Sequence, residues 1–149
     1  MEWLKPLLGT RVGFDTAPLI YFIEQHPRYM PLVGPFFQAV ERGEIQAVTS
    51  VLTLTEVMIH PLRHGNWSLA DQYSKILINA RNLTTLPVST AIAETAARIR
   101  ANRGVRTPDA IQLATAVEAQ ATSFLANDAG LSSLPGLQVL QLDQLLAHP

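Results

Sequence analysis

The stretch "RVGFDTAPLIYFIEQHP", Arg11 to Pro27, decides how the chain is read. Val12 to Phe14 form a short apolar run of the kind that makes a buried strand. Ala17 to Glu24 follow as a helix with Leu19, Ile20, Phe22 and Ile23 turned inward. Asp15 stands at the seam. A carboxylate there either caps the helix or is held as a ligand at the end of a strand, and the rest of the chain must decide between the two.

Outward from this seam the same alternation repeats. "MPLVGPFFQAVERGE" reads as a second helix with an irregular start, ending near Gly43, and "IQAVTS" as a strand. "SVLTLTEVMIHPLRHG" is a helix that Ser50 caps and Pro61 disturbs. "SLADQYSKILINARN" has helical periodicity, and "LTTLPV" is a strand stopped at Pro87. "STAIAETAARIRANRG" is a helix closed by Gly104. "TPDAIQLATAVEAQ" is another, with Thr107 as cap and Pro108 at its first position. "ATSFLAND" and "LQVLQL" are strands, and "DQLLAH" a final short helix. Apolar strands alternating with helices or helix pairs predict an α/β fold whose parallel sheet is covered on both faces. Ligand sites in such sheets lie beyond the carboxyl ends of the strands.

Composition narrows the class. At 149 residues the chain is most simply one domain, 1–149, able to bury roughly 70% of its unfolded surface. A 48% hydrophobic and 15% charged content argues against disorder. The absence of cysteine excludes disulfides and thiolate metal sites, and fits a reducing interior. "MEWLKPLLGTRVGF" lacks the basic start and cleavage site of a signal peptide, and no apolar run reaches the roughly 18 residues of a spanning helix. The expectation is a soluble, cytoplasmic protein without membrane association. A net charge of −1 supplies no global attraction to nucleic acid, so binding would rest on a local basic patch.

The acids fall in telling places. Asp15 and Asp128 each end a strand, Asp109 is the second residue of the helix before the fourth strand, and Glu56 lies in the helix after the second. Each sits in an otherwise apolar stretch, an unusual setting for a solvated charge. If their loops open on one edge, four carboxylates converge there and raise one another's pKa. A divalent cation relieves that repulsion. Oxygen donors without Cys or clustered His suit Mg²⁺ or Mn²⁺ and not Zn²⁺. Such an ion lowers the pKa of a bound water and screens developing negative charge, which is the chemistry of phosphodiester cleavage.

"FDTAPLIYFIE", "SVLTLTEVM", "TPDAIQLATA" and "FLANDAGLSSL", in that order, resemble the signatures of PIN-domain ribonucleases, most closely the VapC-type toxins of prokaryotic toxin–antitoxin pairs. The resemblance implies a single three-layer domain with a five-stranded parallel sheet. It places Asp15, Glu56, Asp109 and Asp128 as the catalytic metal-binding acids, with Thr16 and Asn127 supporting them. It further implies Mg²⁺- or Mn²⁺-dependent cleavage of RNA, a small antitoxin partner and a homodimer. Ala17-Pro18 and Ala129-Gly130 depart from the family pattern, since polar or acidic residues often stand at those positions.

Plainer readings exist for each residue. Asp15 would cap its helix, a role Thr16 can take or share; Asp109 would complement a helix dipole; Asp128 would form a turn. Glu56 would share a water-facing stripe with Thr53 and His60. Arg98, Arg100, Arg103 and Arg106 suit a helix end, or else a phosphate-binding rim in which Arg103 and Arg106 contact RNA. His60 and His64 read as surface residues, and Trp3 and Trp67 as covering the core edge. Glu24, Asp71, Glu94, Glu118 and Asp143 read as solvated helix positions or caps. The rival to a nuclease is an inactive domain of the same fold that binds RNA or protein. An aspartyl phosphatase is disfavoured, because it needs a second Asp where Ala17 stands.

Overall fold

The computed structural model describes residues 1–148. A turn of 3₁₀ helix at Lys5–Leu7 leads into β1 (Arg11–Phe14), α1 (Thr16–Ile23), α2 (Met30–Glu41), β2 (Gln46–Ser50) and α3 (Val51–Arg63). There follow α4 (Trp67–Asn79), β3 (Leu83–Leu86), α5 (Thr90–Arg103), α6 (Thr107–Glu118), β4 (Ser123–Ala126), β5 (Gln138–Gln141) and α7 (Leu142–Ala147). The strands form one five-stranded parallel sheet in the order β3-β2-β1-β4-β5. The chain builds outward from β1 to β3, then returns to add β4 on the other side of β1. That reversal makes a topological switch point between β1 and β4, where open α/β sheets form their crevice.

Side chains along each strand alternate between two cores. Val12, Phe14, Ala47 and Leu125 face the layer of α1, α2, α3, α4 and α7, whereas Val48, Phe124 and Ala126 face α5 and α6. Gly13 also faces α6. A Cβ at Gly13 would lie 2.8 Å from the Ala116 Cβ and 2.8 Å from Phe124 Cδ2, so only glycine lets the helix approach this closely. The small residues of α6, with Ala110, Ala114 and Ala116 all buried, meet the strand at that point.

The local expectations hold in type and shift at edges. Gly104 closes α5 with a left-handed φ of 68°, and Ser50 caps α3 through the Leu52 N–H. Pro61 does not stop α3, which runs on to Arg63, because a proline so near the C-terminus removes only one backbone bond. Thr107 is not the cap of α6: Arg106 is, without a side-chain bond, and Thr107 is already helical. Of the four α1 side chains expected to turn inward only Leu19 is fully buried; Ile20, Phe22 and Ile23 pack half-buried against the core. Trp3 covers the core edge as expected, but Trp67 does not, being 67% exposed at the start of α4. Glu24 is more than a solvated position, since it accepts the buried Tyr73 hydroxyl. Among the described residues no helix is long and apolar enough to cross a membrane.

Gly13→Ala should therefore destabilise the protein by about 1–3 kcal/mol through overpacking. The urea midpoint checks this, and an unchanged midpoint would show that α6 does not press on β1.

Candidate active site

The register of the sheet brings the first and last acids together. Phe14 pairs with Leu125, and the Asp15 N–H donates to the Leu125 carbonyl at 3.0 Å. Asp15 thus leaves β1 level with the end of β4, and Asp128 follows two residues after that strand ends. The two carboxylates flank the switch point. Asp109 arrives from the third side, in the first turn of α6, and Glu56 from α3.

Asp15 is itself the cap of α1: its Oδ1 accepts the Thr16 N–H at 2.8 Å. The hydroxyl of Thr16, the other candidate for that task, is buried without a partner. Capping and ligation are not alternatives here, because among the described residues no donor meets the second carboxylate oxygen. Desolvation pushes the Asp15 carboxyl up to about 6 from 3.8. The Thr16 N–H counters this, and the charges of Glu56, Asp109 and Asp128 add to it. The other three acids therefore all lie within the field of Asp15, and Glu56 also feels Asp109.

Glu56 is likewise raised, by desolvation first and by Asp109 second, with Thr16, Gln112 and Arg106 lowering it. The residue as a whole is exposed, so solvent screens much of that rise. Neither Thr16 nor Gln112 makes a hydrogen bond of normal geometry to it; they are neighbours of the carboxyl. Asp109 has a side chain only 16% exposed, and its Oδ2 accepts from Arg106 Nε at 3.3 Å.

Asp128 is held by its loop. Its Oδ1 accepts the Gly130 N–H at 2.9 Å, while Gln141 grips the backbone around it. Gln141 Oε1 accepts the Asp128 N–H, and its Nε2 donates to the carbonyls of Asp128 and Leu131. Asn127 receives the Asp143 N–H and donates to the Tyr21 hydroxyl, so it ties the loop to α1 and α7. Of the arginines, Arg106 stands beside Asp109, whereas Arg103 turns away to the Ser133 carbonyl. His60 and His64 are exposed, with ring centroids 4.1 Å apart.

The donor set is all oxygen, with mutual repulsion and a free buried hydroxyl beside it, and so fits a hard divalent cation. Among the described residues, however, no three Asp, Glu or His side chains converge tightly enough to cage an ion as they stand. The structure also shows what sequence reasoning passed over. Thr53 does not share a water-facing stripe with Glu56; it is fully buried and bonded to Gln112 and Thr49. A polar residue within an apolar helical run was the available signal for Thr53 and Gln112. Nothing in the sequence marks Gln141.

Comparison with known proteins agrees with this architecture. The PIN domain family pattern matches residues 13–137, and the chain belongs to that family. A search of curated proteins found no significant match. Among solved structures, a chain of a toxin–antitoxin complex from Klebsiella pneumoniae superposes with a TM-score of 0.65 at 23% identity, covering 88% of this chain and 97% of that one. VapBC2 from Rickettsia felis, bound to a DNA fragment of its promoter, gives 0.69 at 13% identity, covering 88% and 98%. DNA-bound VapBC from Salmonella typhimurium gives 0.64 at 17%, covering 89% and 98%. At these identities the likeness is one of fold.

The raised Asp15 carboxyl carries a stability consequence whose sign is fixed. Between pH 3.8 and about 6 the folded state keeps a proton that the unfolded chain has released, so metal-free stability falls as pH rises through that window. Asp15→Asn never ionises, yet its amide oxygen can still accept the Thr16 N–H. It should melt higher than wild type in EDTA at pH 7, by on the order of 3 kcal/mol at most, with the difference gone below about pH 4. Thermal melts across this range check it; a lower melting temperature at pH 7 would contradict it.

Proposed function

We propose that this chain is a divalent-metal-dependent endoribonuclease and the toxin of a toxin–antitoxin pair. The single observation that carries the reading is the Asp15 carboxyl, pushed to about 6 beside three other acids at the switch point of the sheet. In this reading Asp15, Glu56, Asp109 and Asp128 hold Mg²⁺ or Mn²⁺, with Thr16 and Asn127 supporting them. When bound, the cation supplies Lewis acidity toward water and charge screening toward phosphate.

The chain's own residues do the rest. Asp15 and Asp128 fix the floor of the crevice between β1 and β4, and Asp109 and Glu56 close it from the two helical layers. Asp15, Glu56, Asp109 and Asp128 would hold the cation, whose charge would offset the repulsion that Asp15 meets from the other three. Arg106 sits at the rim with its side chain 78% exposed, placed to meet a phosphate and to offset the acidic crevice. No protein side chain is needed as a dedicated general base. An antitoxin partner is suggested by likeness to the toxin–antitoxin complexes above, and a homodimeric assembly by the family resemblance alone. Exposed apolar side chains at Ile59, Leu62, Trp67 and Ile78 on α3 and α4 support a protein partner.

Purified protein should cleave structured RNA when Mg²⁺ or Mn²⁺ is added and stop with EDTA. Asp15→Asn and Asp109→Asn should each abolish cleavage with an unchanged circular-dichroism spectrum. Cleavage that survives both substitutions would refute the site. RNA binding without cleavage in any of these conditions would favour the inactive-domain reading.

A further inference from the structure

A buried polar chain runs beneath the acids. The Thr49 hydroxyl donates to the Phe14 carbonyl at 2.9 Å and meets the Thr53 hydroxyl at 2.8 Å, and Gln112 Nε2 donates to Thr53 Oγ1 at 3.0 Å. Thr49, Thr53 and Gln112 are each no more than 2% exposed. Counting hydrogens fixes the direction. A carbonyl only accepts, so Thr49 commits its one hydroxyl hydrogen to Phe14. The hydrogen between the threonines must then come from Thr53, and Thr53 must receive from Gln112. A rotated amide would leave one of these contacts without a hydrogen. The amide is therefore oriented with Nε2 toward Thr53, which leaves Oε1 buried and without a partner.

Three links of this chain adjoin an acid along the sequence. Phe14 directly precedes Asp15 on β1, Thr53 lies one helical turn before Glu56 on α3, and Gln112 lies one turn after Asp109 on α6. Apolar side chains of the same shape would pack these positions with little loss, whereas an unmatched buried acceptor is destabilising. Packing alone does not explain the choice. We propose that Gln112 is a positioning residue that, through Thr53 and Thr49, sets the spacing of Asp15, Glu56 and Asp109 and thereby the affinity for a divalent cation. This inference rests on the metal-site reading above.

Mn²⁺ binding by isothermal titration calorimetry on the full chain tests it, with folding checked by circular dichroism. Thr53→Val and Gln112→Met remove the polar links at similar volume, and each should weaken Mn²⁺ binding about tenfold or more, the usual effect of losing a residue that orients a ligand. Thr53→Ser keeps the hydroxyl and should bind as wild type does. A role confined to packing would lower the melting temperature and leave Mn²⁺ affinity alone. Gln112→Asn, which keeps an amide but shortens its reach, is the milder arm if the others fail to fold, and it too should bind more weakly. Wild-type affinity in any folded Gln112 variant overturns the inference, provided that wild type binds Mn²⁺ and Asp15→Asn does not. Wild-type protein that takes up no Mn²⁺ overturns the metal-site reading and this inference with it.

Discussion

A carboxylate taken out of water beside other carboxylates resists ionisation, and the order of the strands puts Asp15 in that position. Because β4 returns to the side of β1 that β2 leaves open, the loops that follow these two strands leave the sheet side by side. Asp15 follows β1 directly, and Asp128 lies two residues beyond β4. The crowding is thus a product of topology, and it costs the protein stability at pH values where Asp15 ionises.

The second determinant is the closeness of α6 to the sheet. Gly13 provides no side chain at the crossing, and Ala116 and Phe124 fill the space. A larger separation would carry the first turn of α6, and Asp109 with it, away from β1. On the opposite layer α3 is tied to the same strand by Thr49 and Thr53. Backbone register, a tight helix crossing and a buried hydroxyl chain tie together the elements that carry the acids. These devices act on different elements and converge on one edge.

How much of this was legible in the sequence depended on the range of the interaction. Asp15 and Asp128 stood out because each interrupts an apolar strand at its end, and Asp109 because alanines follow it along one helix. The parallel sheet followed from alternation alone. Contacts between distant residues were not legible: Gln112 and Thr53 lie 59 positions apart, and Thr49 and Phe14 lie 35 apart. Thr53 looked like part of a solvated stripe because helical spacing relates it to Glu56 but cannot say which side of the stripe α6 covers. Trp67 misled for the opposite reason, since aromatic bulk suggests burial and the start of α4 leaves it in solvent. The helix caps were ambiguous by one residue, so Asp15 took the role that Thr16 could equally have had.

The central claim is that these carboxylates share one electrostatic environment which a hard cation relieves. The most direct test is a carbon-13 NMR titration of the Asp15 side-chain carboxyl, run in EDTA and again with Mg²⁺. The account predicts a titration near pH 6 without metal that moves well below the ordinary range when Mg²⁺ is present. An Asp15 carboxyl that titrates near 3.8 under both conditions would contradict it.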